Sequence, residues 1–152
     1  MLKHVMVPLD ESELAESALP YAREIVDAST GKITLIGVVY VPEYITSGLY
    51  PVPFEYQIEN YEDVRKTRVN NAKDYLEKIV HDLQRGGLQA EIVVRTGNPA
   101  DRIVETAEEL AVDAIVMSTH GRSGFNRWIF GSVTQKVLNA TPCPVMVIPP
   151  VH

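Results

Sequence analysis

Residues 118–134 (STHGRSGFNRWIFGSVT) hold the side chains with the clearest chemical purpose. Gly121, Gly124 and Gly131 interrupt a run of hydroxyl residues, and Arg122 and Arg127 bring positive charge. The run follows an apolar segment, Ala114 to Met117, that reads as a strand, and it leads into a helical pattern. Glycine lets the backbone approach a ligand closely, because no Cβ stands in the way. A helix start presents unpaired N–H groups and the positive end of the helix dipole. Where both meet after a strand, the natural guest is an anion, most often a phosphate. A nucleotide is therefore the expected ligand. The second chemically suggestive group is Asp10, which follows the first strand and opens a helix. As a helix N-cap, with Glu13 three residues on, it would complete a capping box.

Other chemistries do not fit the residue types. There is no G-x-x-x-x-G-K-[ST] phosphate loop, and no G-x-G-x-x-G after the first strand. The segment Gly121-Arg122-Ser123-Gly124 is one residue short of a nucleophile elbow, so a hydrolase triad is rejected. His4, His81, His120 and His152 lack metal-ligand spacing, and the single Cys143 excludes an internal disulfide or a cysteine-rich zinc site.

The elements that must position these residues alternate between short apolar runs and helical periods. Val5 to Leu9 reads as a strand. Leu14, Ala18, Tyr21, Ala22 and Ile25 then recur at helical spacing, with Gly31 as the stop. Ile33 to Val41 is β-branched enough for a strand buried on both faces. Pro42 to about Gln57 reads as a long irregular loop. Val69, Ala72, Leu76, Ile79 and Leu83 mark a long helix ended by Gly86 and Gly87. Leu88 to Thr96 is a third strand. Asn98 and Pro99 are a cap and a first helical residue. Asp113 to Ser118 is the fourth strand, Val133 to Ala140 a short helix, and Pro144 to Ile148 the last strand. Strands separated by helices imply a parallel sheet in a doubly wound α/β sandwich of about five strands, with the ligand at the strands' carboxyl ends where strand order reverses.

The 152 residues suit a single domain over 1–152. A net charge of −6 argues against a general nucleic-acid binder. No apolar run approaches the roughly 20 residues that span a bilayer, and the first ten residues do not read as a signal peptide. A cytoplasmic protein is the expectation.

The spacing Gly121, nine residues, Gly131-Ser132 resembles the G-x2-G-x9-G-[ST] pattern of the universal stress protein family, in its ATP-binding branch. The first glycine of that pattern is Ser118 here. The resemblance extends through Pro8-Leu9-Asp10, the strand around Val38, Gly97-Asn98-Pro99 and the terminal Pro142 to Ile148. It implies a three-layer, Rossmann-like sandwich of the adenine nucleotide alpha-hydrolase type, with a five-stranded parallel sheet in the order 3-2-1-4-5. It further implies ATP between strands one and four, with any Mg²⁺ carried by the phosphates. Pro8 and Leu9 would pack beside the adenine, the backbone of Val38 would bond it, and Asp10 would lie near the ribose. Gly131 would admit the phosphates, bonded by the hydroxyls of Ser132 and Thr134 and the amides of Ser132 and Val133. Gly121 and Gly124 would belong to the nucleotide-binding turn, with His120, Arg122 and Arg127 balancing phosphate charge. Ser118 would either cost about 1 kcal/mol, if the family glycine serves a left-handed backbone, or place a Cβ and a hydroxyl beside the ribose.

Each position also has a plainer reading: Val38 as core, Ser132 as a helix cap, the arginines as solvated surface. The last strand, Val145 to Ile148, is apolar on both faces, and an exposed edge invites pairing. A homodimer through it is the implied assembly. Three functions compete. The first is an ATP-binding regulatory module, little or not at all hydrolytic, read by an unknown partner, whose loop over 42–57 orders on binding. The second is an ATP-using enzyme such as a nucleotidyl transferase, disfavoured because Asp10, Glu11 and Glu13 would repel a pyrophosphate there. The third is a nucleotide-independent dimerising module.

Overall fold

The computed structural model describes residues 1–40, 54–119 and 131–150, with the backbone alone over 54–60. Strands β1 (His4–Pro8), β2 (Lys32–Val39), β3 (Gln89–Thr96), β4 (Ala114–Ser118) and β5 (Val145–Ile148) form one parallel sheet in the order β3-β2-β1-β4-β5. Helices α1 (Glu13–Glu16), α2 (Leu19–Ile25) and α3 (Phe54–Arg85) lie in the chain before β3; α4 (Pro99–Glu109) and α5 (Ser132–Ala140) come after it. The implied strand order is therefore found.

Alternate residues of a strand point to opposite faces, so a central strand can feed two cores. Val5 and Val7 enter one core with Ala18, Ala22, Leu35, Leu76 and Leu83. Met6 enters the other with Ile36, Ile103, Ala107, Ile115 and Val137. The chain winds outward from β1 through β2 to β3, then returns to β4 on the opposite flank of β1. The carboxyl ends of β1 and β4 thus border the crevice where strand order reverses.

Local signals explain most boundaries. Asn98 accepts a hydrogen bond from the Asp101 amide, and Pro99 opens α4. At the end of α3, Leu88 N–H reaches the Leu83 carbonyl and Gly87 N–H the Gln84 carbonyl. This is a Schellman closure, with Gly87 at φ 87 as the left-handed residue.

Four expectations are corrected. The single helix expected over Leu14 to Ile25 is two, because Pro20 has no N–H to continue the ladder and Ser17 bonds back to the Leu14 carbonyl at 2.6 Å. The N-cap of α1 is Ser12, whose hydroxyl accepts from Ala15 N at 3.1 Å; Asp10 is not the cap and forms no capping box with Glu13. Gly31 does not stop a helix. It lies just before β2, and its N–H bonds the Asp27 carbonyl at 2.8 Å. The irregular stretch expected to run to Gln57 ends earlier, since α3 begins at Phe54. The rest of that loop lies outside the described residues.

The amino ends of the first three strands are tied by polar side chains. Thr34, fully buried, donates to Glu91 Oε1 at 2.9 Å. That commits its only proton, so His4 Nε2, 2.7 Å from Thr34 Oγ1, is the donor to that hydroxyl. Lys32 Nζ meets Glu91 Oε1 at 3.0 Å. Burial, and then the Lys32 charge, hold the His4 imidazole below its ordinary 6.5. Desolvation pushes the Glu91 carboxyl up, but hydrogen bonds from Lys32 and Thr34 outweigh it and bring it below 4.5. Both groups thus give up protons more readily folded than unfolded. As pH falls, the unfolded chain binds more protons and stability drops. The His4 contribution fades below about 6.5, and the Glu91 contribution is lost as pH falls below about 4.5 through its folded value. Thermal midpoints measured from pH 8 to pH 3 should decline in those two windows. Thr34→Val should shrink the lower one; an unchanged profile in that variant would show that the network does not govern it.

Candidate functional site

A cavity of about 290 Å³ opens at the carboxyl ends of β1 and β4. Pro8, Leu9 and Asp10 form one wall, Ile36 and Val38 of β2 another. Met117, Ser118 and Thr119 line it at the end of β4, and Gly131 to Thr134 at the start of α5. Ala15, Pro99 and Ile103 complete it.

Each wall has a local cause. The Leu9 amide extends the β1 ladder to the Ile36 carbonyl at 2.9 Å, so Leu9 stays fixed beyond the last strand residue. The Asp10 carboxylate is oriented by Ser12, accepting from its amide at 3.1 Å and from its hydroxyl at 2.5 Å. This is an Asx-type turn. Glu11 follows at φ 68, a left-handed conformation that costs a non-glycine residue roughly 1 kcal/mol. Ser118 is a regular strand residue, 8% exposed, paired with Ile148. It is not in the left-handed region, so the backbone cost weighed for a serine there is not incurred.

The end of the cavity beside β4 is built by the start of α5. Gly131 is its N-cap and carries no side chain to bond the first turn. Ser132 is therefore the first helical residue rather than the cap. The amides of Ser132, Val133 and Thr134 have no partner among the described residues. The Gly131 amide is held by the Thr119 carbonyl at 2.8 Å. Thr134 differs from expectation. Its hydroxyl donates to the carbonyls of Ser118 at 3.1 Å and Thr119 at 3.2 Å, and the residue is 3% exposed. Its one proton is committed to the main chain and is not offered to the cavity.

Of the residues expected to serve the site, Pro8, Leu9, Asp10, Val38, Ser118, Gly131, Ser132, Val133 and Thr134 all line this one cavity. His120, Gly121, Arg122, Gly124 and Arg127 lie outside the described residues. The residues not anticipated are Ala15, Ile36, Pro99, Ile103, Met117 and Thr119. Ile36 stands two positions before Val38, on the same strand face, and that period was the available signal. Among the described residues, no group of histidine, cysteine and carboxylate side chains could hold a metal ion, and no helix is long and apolar enough to cross a membrane.

This geometry has relatives. The chain is 27% identical to universal stress protein MJ0577 of Methanocaldococcus jannaschii over 154 residues, covering 97% of this chain and 95% of that protein. The solved structure of MJ0577 matches with a TM-score of 0.82 at 28% identity, over 99% of this chain and 97% of the other. A universal stress protein family member from Arabidopsis thaliana, solved with AMP bound, shares the fold with a TM-score of 0.62 at 21% identity, over 96% of this chain and 90% of the other. So does a universal stress protein solved in complex with cAMP, with a TM-score of 0.58 at 22% identity, over 97% and 96% of the two chains. The family model described as the universal stress protein family matches residues 1–149. With that model spanning nearly the whole chain, the chain belongs to the universal stress protein family.

Proposed function

We propose that this protein binds an adenine nucleotide, ATP, in the cavity between β1 and β4 and acts as a regulatory module. The observation that carries the reading is the first turn of α5, whose residues, with amides unpartnered among the described residues, line the same cavity as Asp10. The cavity is near the lower end of the roughly 300–1,000 Å³ typical of small-molecule sites. A base and sugar suit it, with the phosphates leaving over Gly131. Pro8 and Leu9 pack beside the adenine, the Val38 backbone bonds its edge, and Asp10 faces the ribose. The amides of Ser132 and Val133, with the Ser132 hydroxyl, take the phosphates. His120, Gly121, Arg122 and Gly124 complete that end. Two proteins of this fold hold adenine nucleotides, AMP and cAMP, which supports the ligand class.

Metal chemistry follows the ligand: Mg²⁺ arrives on the phosphates. The lining residues include no general base placed beside a nucleophile, so ATP turnover is slow or absent and the site works as a sensor. The protein acts in the cytoplasm. Two copies pair through β5, the sheet's edge strand, where Met146 is 38% exposed. Sedimentation at micromolar concentration should give twice the chain mass, and Met146→Lys should restore the monomer. A monomeric parent would remove the dimer. Calorimetry with ATP, with and without Mg²⁺, tests the ligand; no heat of binding in either condition would leave the nucleotide-independent module as the reading.

A further inference from the structure

Thr134 is the third residue of α5, where a hydroxyl ordinarily faces its own helix or solvent. Here it reaches across to β4. One O–H is shared between the carbonyls of Ser118 and Thr119, at 3.1 and 3.2 Å. The Gly131 amide bonds the same Thr119 carbonyl at 2.8 Å. The strand end and the helix start are therefore clamped at two points three residues apart in the helix, across a chain excursion that leaves at 119 and returns at 131. The Gln135 amide then begins the helix ladder on the Gly131 carbonyl at 3.0 Å. Thr134 is the side-chain member of this clamp among the described contacts. The direction in which the Ser132 and Val133 amides point is set by where the helix starts, and that start is set by Gly131 and Thr134.

We propose that Thr134 is a positioning residue that tunes the site toward ligands carrying a phosphate chain over the bare nucleoside, by holding the first turn of α5 against β4 without touching the ligand. The proposal rests on the nucleotide reading above. Losing the hydroxyl removes the side-chain tie between α5 and the carbonyls of Ser118 and Thr119, leaves the Gly131 amide as the remaining tie named here, and frees the helix start to shift. An amide that donates to a charged oxygen loses strength steeply as its angle and distance degrade. The base and sugar end, walled by β1 and β2, stays as it was.

The test compares Thr134→Val and Thr134→Ser with the parent, using calorimetry with ATP and with adenosine. Thr134→Val, which keeps the shape and loses the hydroxyl, should bind ATP about tenfold more weakly, the size of one lost hydrogen bond. Its adenosine affinity should stay within about twofold of the parent. Thr134→Ser keeps the hydroxyl and loses a buried methyl, so it should hold parental ATP affinity even where its thermal midpoint is lower. If Thr134→Val does not fold, Thr134→Ser still decides: a selective loss of ATP affinity there overturns the proposal. Parental ATP affinity in Thr134→Val, or an equal loss for ATP and adenosine, also overturns it. A parent that binds neither ligand fails the nucleotide reading instead. In that case the clamp is read from amide hydrogen exchange without ligand, where Gly131 and Gln135 should exchange faster in Thr134→Val and not in Thr134→Ser; unchanged exchange removes the clamp itself.

Discussion

Gly131→Val should abolish measurable ATP binding while the protein still folds. Gly131 sits at φ −55 and ψ 151, a conformation open to any L-residue. The backbone therefore gives no reason for glycine there, and a reason of space remains. Gly131 lines the cavity next to Ser132 and Val133, and a side chain there would compete for space with a bound phosphate under the nucleotide reading. Displacing a phosphate from that contact costs about 1–3 kcal/mol for the lost charged hydrogen bonds, and crowding adds a similar amount. Together these correspond to roughly a hundredfold or greater loss of affinity. A companion variant separates this effect from stability. Serine is a better N-cap than glycine, so Gly131→Ser should melt no lower than the parent yet still bind ATP more weakly. Parental affinity in both variants, measured by calorimetry, would leave the glycine without a ligand-related purpose and favour the nucleotide-independent module.

Leu76→Ala should produce the largest loss of stability among single core changes in α3. Leu76 is 1% exposed and lies against Gly37 of β2, so close that a Cβ there would come within 3.1 Å of Leu76 Cδ1. The missing side chain at Gly37 is the seat for the leucine. Truncation empties that seat, and neither the long helix nor the interior strand β2 can close the gap cheaply. Large-to-small changes of this kind cost about 2–5 kcal/mol. The denaturation midpoint should shift accordingly with an unchanged slope. A loss below about 1 kcal/mol would mean that the helix settles onto the strand without the leucine.

The sheet was legible because its strands announce themselves chemically. The run from Ile33 to Val39 is too apolar and β-branched for anything but a strand covered on both sides. Gly86-Gly87 and Asn98-Pro99 marked helix ends whose hydrogen bonds are the ones such residues make. The break between α1 and α2 was hidden because Ala15, Ala18 and Ala22 all enter one core, so the helical period runs through the interruption. Pro20 was the overlooked sign. Asp10 misled for a related reason: aspartate two residues before a serine can cap a helix or brace the cap, and only the turn geometry at Glu11 decides. Part of the cavity lining, Asp10 and the turn from Gly131 to Thr134, was readable in the sequence. The apolar part, Ile36, Ile103 and Met117, was not, since a residue that lines a cavity looks the same in sequence as one that fills a core. Thr134 shows the opposite error, a hydroxyl assigned to the ligand that serves the main chain.

The main chain of Thr119 faces two ways. Its carbonyl grips the start of α5 through Gly131, and its amide grips the Ile148 carbonyl at 3.0 Å, at the last residue of β5. One residue, through two neighbouring peptide units that meet at its Cα, thus joins the proposed phosphate seat to the outermost strand. Any guest that shifts Thr119 also pulls on the final rung of the border strand, where a second copy would dock. If occupancy strengthens that docking by some factor, docking must tighten occupancy by the same factor.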